Sequence, residues 1–180
     1  MRIARILGVV LLVLVGLSGS AHAIGLYVER LDDLNVNFCP VCHQLIMPGG
    51  IHENAEDVIG TELGGALIEE GIDYSEEPGE ARRLNVLIYR FQERRGGAFS
   101  VERPASVGFH VHLLDERGLV KVFVFDETQQ PLMENIFGFF TFLKRKGRWI
   151  TAGELSREGV RKAVDFFADD LLAAQSGVTP

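Results

Sequence analysis

Apolar and polar positions along the chain change period several times, and each change marks an element. Leu34, Val36 and Phe38 alternate with Asn35 and Asn37, the period of a half-buried strand. From about Ala55 to Glu70 the spacing turns helical: Ile59, Leu63, Ala66 and Leu67 share one face. Asn54 stands at the N-cap position, and Gly71 at the C′ position. Gly64 and Gly65 interrupt this helix, which predicts close approach to a sheet. Leu84 to Phe91 is apolar almost throughout, as a central strand would be. Arg94-Arg95-Gly96-Gly97 is a hairpin-turn pattern. Val107, Phe109, Val111 and Leu113 then alternate with Gly108, His110 and His112. Asp115-Glu116-Arg117-Gly118 turns the chain, and Leu119 to Phe125 returns as a further strand. Pro131 opens an aromatic segment read as helical. Thr151-Ala152-Gly153-Glu154 is a capping box for a last helix from about Ala152 to Ala174. Its stripe is Leu155, Val160, Val164, Phe167, Leu171 and Leu172.

The predicted order is strand-helix-strand-strand-strand-helix-helix. The economical packing is an α+β fold: one mainly antiparallel sheet of about four strands, with helices on one face.

The start of the chain stands apart from this pattern. Arg2 and Arg5 precede an apolar and glycine run from Ile6 to Leu17, and Ser18 to Ala23 ends in Ala-x-Ala. That is a signal peptide over residues 1–23, with cleavage expected near Ala23, leaving 24–180 as a single exported domain. A membrane span needs about twenty apolar residues, more than this run supplies. The chain carries a formal charge of −7, and losing Arg2 and Arg5 makes it more acidic. That balance argues against nucleic acid as a partner. The expected location is the periplasm or beyond it.

Phe125-Asp126-Glu127-Thr128-Gln129-Gln130-Pro131-Leu132, Glu134-Asn135, and the run Gly147 to Leu155 with its Arg148-Trp149 pair together resemble an uncharacterised family of exported bacterial envelope proteins and lipoproteins. Their domain is similar to the α/β accessory domain of the curli-secretion lipoprotein. The resemblance spans roughly Leu34 to Leu172. It implies an envelope role through binding other cell-envelope proteins, and it brings no catalytic residues. The chain departs from the lipoprotein members in having no cysteine at the expected start of the mature chain.

Both cysteines of the chain lie in Cys39-Pro40-Val41-Cys42-His43. Four chemistries use such a pattern. A disulfide between Cys39 and Cys42 would stiffen the loop in an oxidising compartment, and this is the reading the sequence favours. A c-type haem would take thioether bonds from Cys39 and Cys42, His43 as axial ligand, and a sixth ligand from Met133, His52, His110 or His112. A thioredoxin-like oxidoreductase would use Cys39 as nucleophile and Cys42 as resolving thiol, with Arg103-Pro104 imitating the facing proline loop. Pro48-Gly49-Gly50 cuts short the helix that such a site wants. Zinc would draw on Cys39, Cys42 and His52, with His110 and His112, two apart on a strand and therefore on one side, completing the set.

A second feature is the aromatic segment. Phe137, Phe140 and Trp149 flank Lys144, Arg145 and Lys146: the favoured reading packs the aromatic residues under the last helix with the basic run as a solvated turn, and a partner surface or a peripheral membrane contact is the alternative. Asp126-Glu127 and Asp115-Glu116 are read as turn chemistry. The chain has no Gly-rich phosphate loop, Gly-x-Ser-x-Gly or His-Glu-x-x-His. The sequence thus points to a non-enzymatic envelope accessory protein without a cofactor; haem c and zinc are the alternatives.

Overall fold

A computed structural model describes residues 23–77, 81–96, 101–129 and 150–176. Phe137, Phe140, Lys144, Arg145, Lys146 and Trp149, the candidate partner patch, lie outside the described residues, as do Met133 and most of the signal peptide.

The architecture is α+β, as the hydrophobic pattern predicts. Strand β1 (Ile24–Arg30) leads through a long connection to helix α1 (Ala55–Glu69). A two-residue strand β2 (Tyr74–Ser75) follows, then β3 (Arg83–Gln92). A small hairpin of β4 (Arg95–Gly96) and β5 (Val101–Arg103) forms a separate two-stranded sheet. Strands β6 (Ser106–Asp115) and β7 (Gly118–Thr128) and helix α2 (Ala152–Gln175) complete the order. The main sheet has five strands in the order β2-β1-β3-β6-β7. β1 runs parallel to β2 and β3, whereas β3, β6 and β7 are antiparallel.

Alternation divides each strand between two faces. Leu84, Val86 and Ile88 of β3, with Val107, Phe109, Val111 and Leu113 of β6, face both helices and form the main core. Helix α1 buries Ile59, Leu63, Ala66 and Leu67 against them, and α2 buries Leu155, Val160, Val164, Phe167 and Leu171. The predicted capping box is present: the Thr151 side chain accepts from Glu154 N–H, and the Glu154 carboxylate accepts from Thr151 N–H. Gly71 takes φ +73° at the end of α1, the left-handed conformation that favours glycine. Leu172 departs from its predicted place and is 41% exposed.

The first strand is the main correction. The alternation at Leu34 to Phe38 belongs to the connection, where Leu34 and Phe38 are exposed and only Val36 is half-buried. The strand lies earlier, at Ile24–Arg30. The connection, residues 31–54, forms a flap across the helix-free face of the sheet. Its start is fixed by Leu31 N–H donating to the Ile88 carbonyl. Its end runs beside β3 beyond the point where β1 stops: Gly49 N–H donates to the Tyr89 carbonyl, and His52 N–H to the Phe91 carbonyl. Between these anchors Leu31, Cys39 and Ile46 pack on Leu87 and Tyr89, a second and smaller core.

Candidate metal centre

The Cys-x-x-Cys turn forms the tip of a short hairpin within the flap. Phe38 and Leu45 are bridged in antiparallel fashion. Cys39 N–H donates to the Gln44 carbonyl, and His43 N–H donates to the Cys39 carbonyl, both at 2.9 Å. His43 sits at φ +58°, a left-handed position that lets the chain reverse directly after Cys42. No helix follows the second cysteine, so a helix dipole is not available to activate a thiol.

This reversal turns both sulfurs toward the sheet. Cys39 is buried and its Sγ lies 3.3 Å from His112 Nε2. Cys42 is half-buried and its Sγ lies 3.4 Å from His110 Nδ1. His110 and His112 project from the flap side of β6, and both are fully buried. One ligand atom from each of Cys39, Cys42, His110 and His112 lies within 4.8 Å of the other three.

The protonation states of the two imidazoles suit a metal. Burial, with His112 nearby, pushes the His110 imidazole down to about 4, against a smaller opposing effect of Asp126. Burial also lowers His112, partly offset by its bond to the Asn85 backbone. Both rings are therefore neutral at neutral pH, the form that ligates. The Asn85 carbonyl can only accept, so His112 carries its proton on Nδ1, 3.2 Å away, and presents an unprotonated Nε2 to Cys39. Burial raises the Cys42 thiol, while the Gln44 backbone N–H acts in the opposite direction. His110 Nε2 is buried with no hydrogen-bond partner among the described residues. Such an orphan costs about 1–3 kcal/mol.

A tetrahedral zinc ion, at about 2.3 Å from sulfur and about 2.0 Å from nitrogen, holds its ligand atoms roughly 3.6 Å apart. The two S···N separations, 3.3 and 3.4 Å, lie a few tenths of an ångström inside that value. With four protein ligands, such a site is closed, which is the structural rather than the catalytic type.

The sequence-derived ligand set needs one correction. His52 is exposed, its Nδ1 engaged with Asn54 Oδ1 at 2.6 Å, and it stands outside the cluster. Both strand histidines take part instead. The favoured disulfide is not formed: both cysteines are free, each sulfur facing an imidazole. The haem reading places Cys39 and His43 on one cofactor, yet Cys39 is 1% exposed against the sheet while His43 is exposed on the reversal. Thiol exchange asks for an accessible nucleophile, and Cys39 is sealed.

The pattern reading missed a supporting cluster. The Tyr89 ring meets His110 edge-on at 5.1 Å, and its hydroxyl donates to Asp126 Oδ2 at 3.0 Å. Arg90 pairs with Asp126 and donates to the Met47 carbonyl of the flap at 3.1 Å. Asp126 and Glu127 are thus strand residues of β7, not turn residues. The register Gly108↔Asp126 puts the carboxylate on the flap side, a placement available only once β6 and β7 are paired. Asp115 keeps its predicted turn role, its Oδ1 accepting from the Arg117 and Gly118 N–H groups.

No family model and no curated protein matches the chain. Solved structures of related shape include a PelC dodecamer from Paraburkholderia phytofirmans, at 13% identity and TM-score 0.43 over 79% of this chain and 81% of that one. Protein XCC0632 from Xanthomonas campestris aligns at 13% identity and TM-score 0.45 over 89% and 91%. A putative lipoprotein from Caulobacter crescentus aligns at 13% identity and TM-score 0.35 over 86% and 93%. At these scores none carries an argument about function.

Proposed function

We propose that the protein is an exported, non-catalytic domain that binds one zinc-type divalent ion through Cys39, Cys42, His110 and His112. The observation that carries this is the convergence of four ligand atoms from two segments about seventy residues apart, all within 4.8 Å. Tetrahedral sulfur–nitrogen sites select zinc among common divalent ions. The ion fastens the flap to β6, and its closed coordination leaves no position for a substrate. The role is that of a binding module for other envelope proteins. Phe38, Leu45 and Met47, each more than half exposed on the metal-held flap, support such a surface. The leader pattern of the sequence supports export, and no helix among the described residues is long and apolar enough to cross a membrane.

The test is metal analysis of the reduced full chain, with cobalt as a spectroscopic probe. One ion per chain is expected, with sulfur-to-cobalt charge transfer and tetrahedral d–d bands. Cys39→Ser and His112→Ala should each weaken binding at least about 100-fold, on the scale of losing a ligand or its support. His52→Ala should leave affinity unchanged. Unaltered cobalt spectra in both His110→Ala and His112→Ala would remove the reading.

A further inference from the structure

We infer that Cys39 and Cys42 have two mutually exclusive states, a thiolate pair on the metal and an internal disulfide, so that a disulfide oxidant expels the ion. This rests on the metal reading above. Both sulfurs belong to one tight turn, closed by the Cys39–Gln44 and His43–Cys39 backbone bonds, and they lie within 4.8 Å of each other. The chain has two cysteines, so within it each is the other's sole disulfide partner. The remaining ligands sit on a different element. His110 and His112 are fixed in β6 by ladder pairing on both sides, to β3 and to β7. Closing the sulfur–sulfur bond therefore removes two of four ligands at once and leaves an imidazole pair that holds zinc weakly.

Burial sets the order of events. Cys42 is half-buried, whereas Cys39 is 1% exposed, so an incoming disulfide meets Cys42 first. The Cys42 thiolate attacks one sulfur of the oxidant, breaks its S–S bond and releases one thiolate. The Cys39 thiolate then attacks the Cys42 sulfur of the mixed disulfide and releases the second. The protein loses two electrons, the oxidant gains them, and the divalent ion leaves with its charge. Leu31, Ile46 and the Gly49 and His52 backbone bonds still hold the flap, so the fold survives while the metal link to β6 is lost.

The experiment treats zinc-loaded full chain with oxidised glutathione, following zinc by a chromophoric chelator and the protein by intact mass. The expected result is one zinc ion released per chain that loses two hydrogens, with dithiothreitol and added zinc restoring both. Cys39→Ser should gain one glutathione on Cys42 and stop there. Retention of zinc by oxidised chains, accumulation of glutathione adducts without an internal disulfide, or full resistance of the loaded chain to oxidation would each overturn the inference. So would an unmodified Cys42 in Cys39→Ser. A reduced chain that takes up no zinc from the outset removes the metal reading itself, whereas a loaded chain that fails the oxidation arm removes only this inference.

Discussion

Gly108 shows how tightly single residues set the geometry of the Cys39, Cys42, His110 and His112 cluster. It lies in β6, two residues before His110, under the Tyr89 ring. A Cβ there would stand 2.4 Å from Tyr89 Cε2. The ring has little freedom to retreat, since it is fully buried and its hydroxyl is held by Asp126. Gly108→Ala is therefore expected to cost about 1–3 kcal/mol, the range of overpacked cores, read by urea denaturation. The same variant should shift the cobalt spectrum, because Tyr89 also rests against His110. At this scale the sequence was partly legible. The spacing of His110 and His112 placed both on one side, and the Cys-x-x-Cys supplied the opposing pair. His52 is the sequence-predicted ligand that stands outside the cluster. Nothing in a one-dimensional pattern shows that it ends on the exposed side of the Ile51–Phe91 bridge.

Among the elements, α1 answers the question raised by its paired glycines. Gly64 makes the close approach, since a Cβ there would meet the Tyr74 hydroxyl at 2.4 Å, beside β2. Gly65 has nothing within 4 Å of its would-be Cβ. Gly65→Ala is therefore expected to stabilise by up to about 1 kcal/mol through helix propensity. Gly64→Ala is expected to destabilise, through displacement of Tyr74. Paired thermal melts check both signs. The alternating strand β6, the turn into β7 and both helices are readable from the chain, with the capping box of α2 and the Gly71 end of α1; Asn54 stands before α1 but makes no side-chain cap hydrogen bond. β1 is not readable: Ile24 to Arg30 directly follows the leader pattern, and its pairing is parallel and distant. The flap misled in the opposite direction. Its alternating Leu34, Val36 and Phe38 mimic a strand although its backbone makes one antiparallel bridge, at the Cys-x-x-Cys turn.

In the whole molecule ion pairs hold the layers, and the proposed metal would add a second kind of link. The metal would join Cys39 to His112 across 73 residues, closing a loop comparable to that of a disulfide, worth about 4 kcal/mol in the chain-entropy account. Ion pairs hold α1: Glu56 to Arg30 at the end of β1, and Glu62 to Arg157 on α2. Each arginine, chiefly by hydrogen bonding, keeps its carboxyl below the ordinary value of 4.5. Their stabilisation is present above that pH and is lost as pH falls through the lower folded values. The urea midpoint should therefore drop between about pH 5 and pH 3, and the Glu56→Gln/Glu62→Gln double variant should show a shallower drop; equal slopes would assign the acid sensitivity elsewhere.

The place of β1 inside the sheet has a consequence for how the chain reaches this state. β6 and β7 are neighbours in sequence and can pair as a local hairpin, with β3 joining across a short stretch. β1 is made before all of them, yet its longest partner, β3, lies beyond the flap, α1 and β2. Parallel pairing at that separation costs loop-closure entropy before it gains any contact, and it is slow. The earliest strand of the domain is thus among the latest to be seated. Until it is, Leu84, Val86 and Ile88 have an open backbone edge beside them, where a second, unfinished chain can pair.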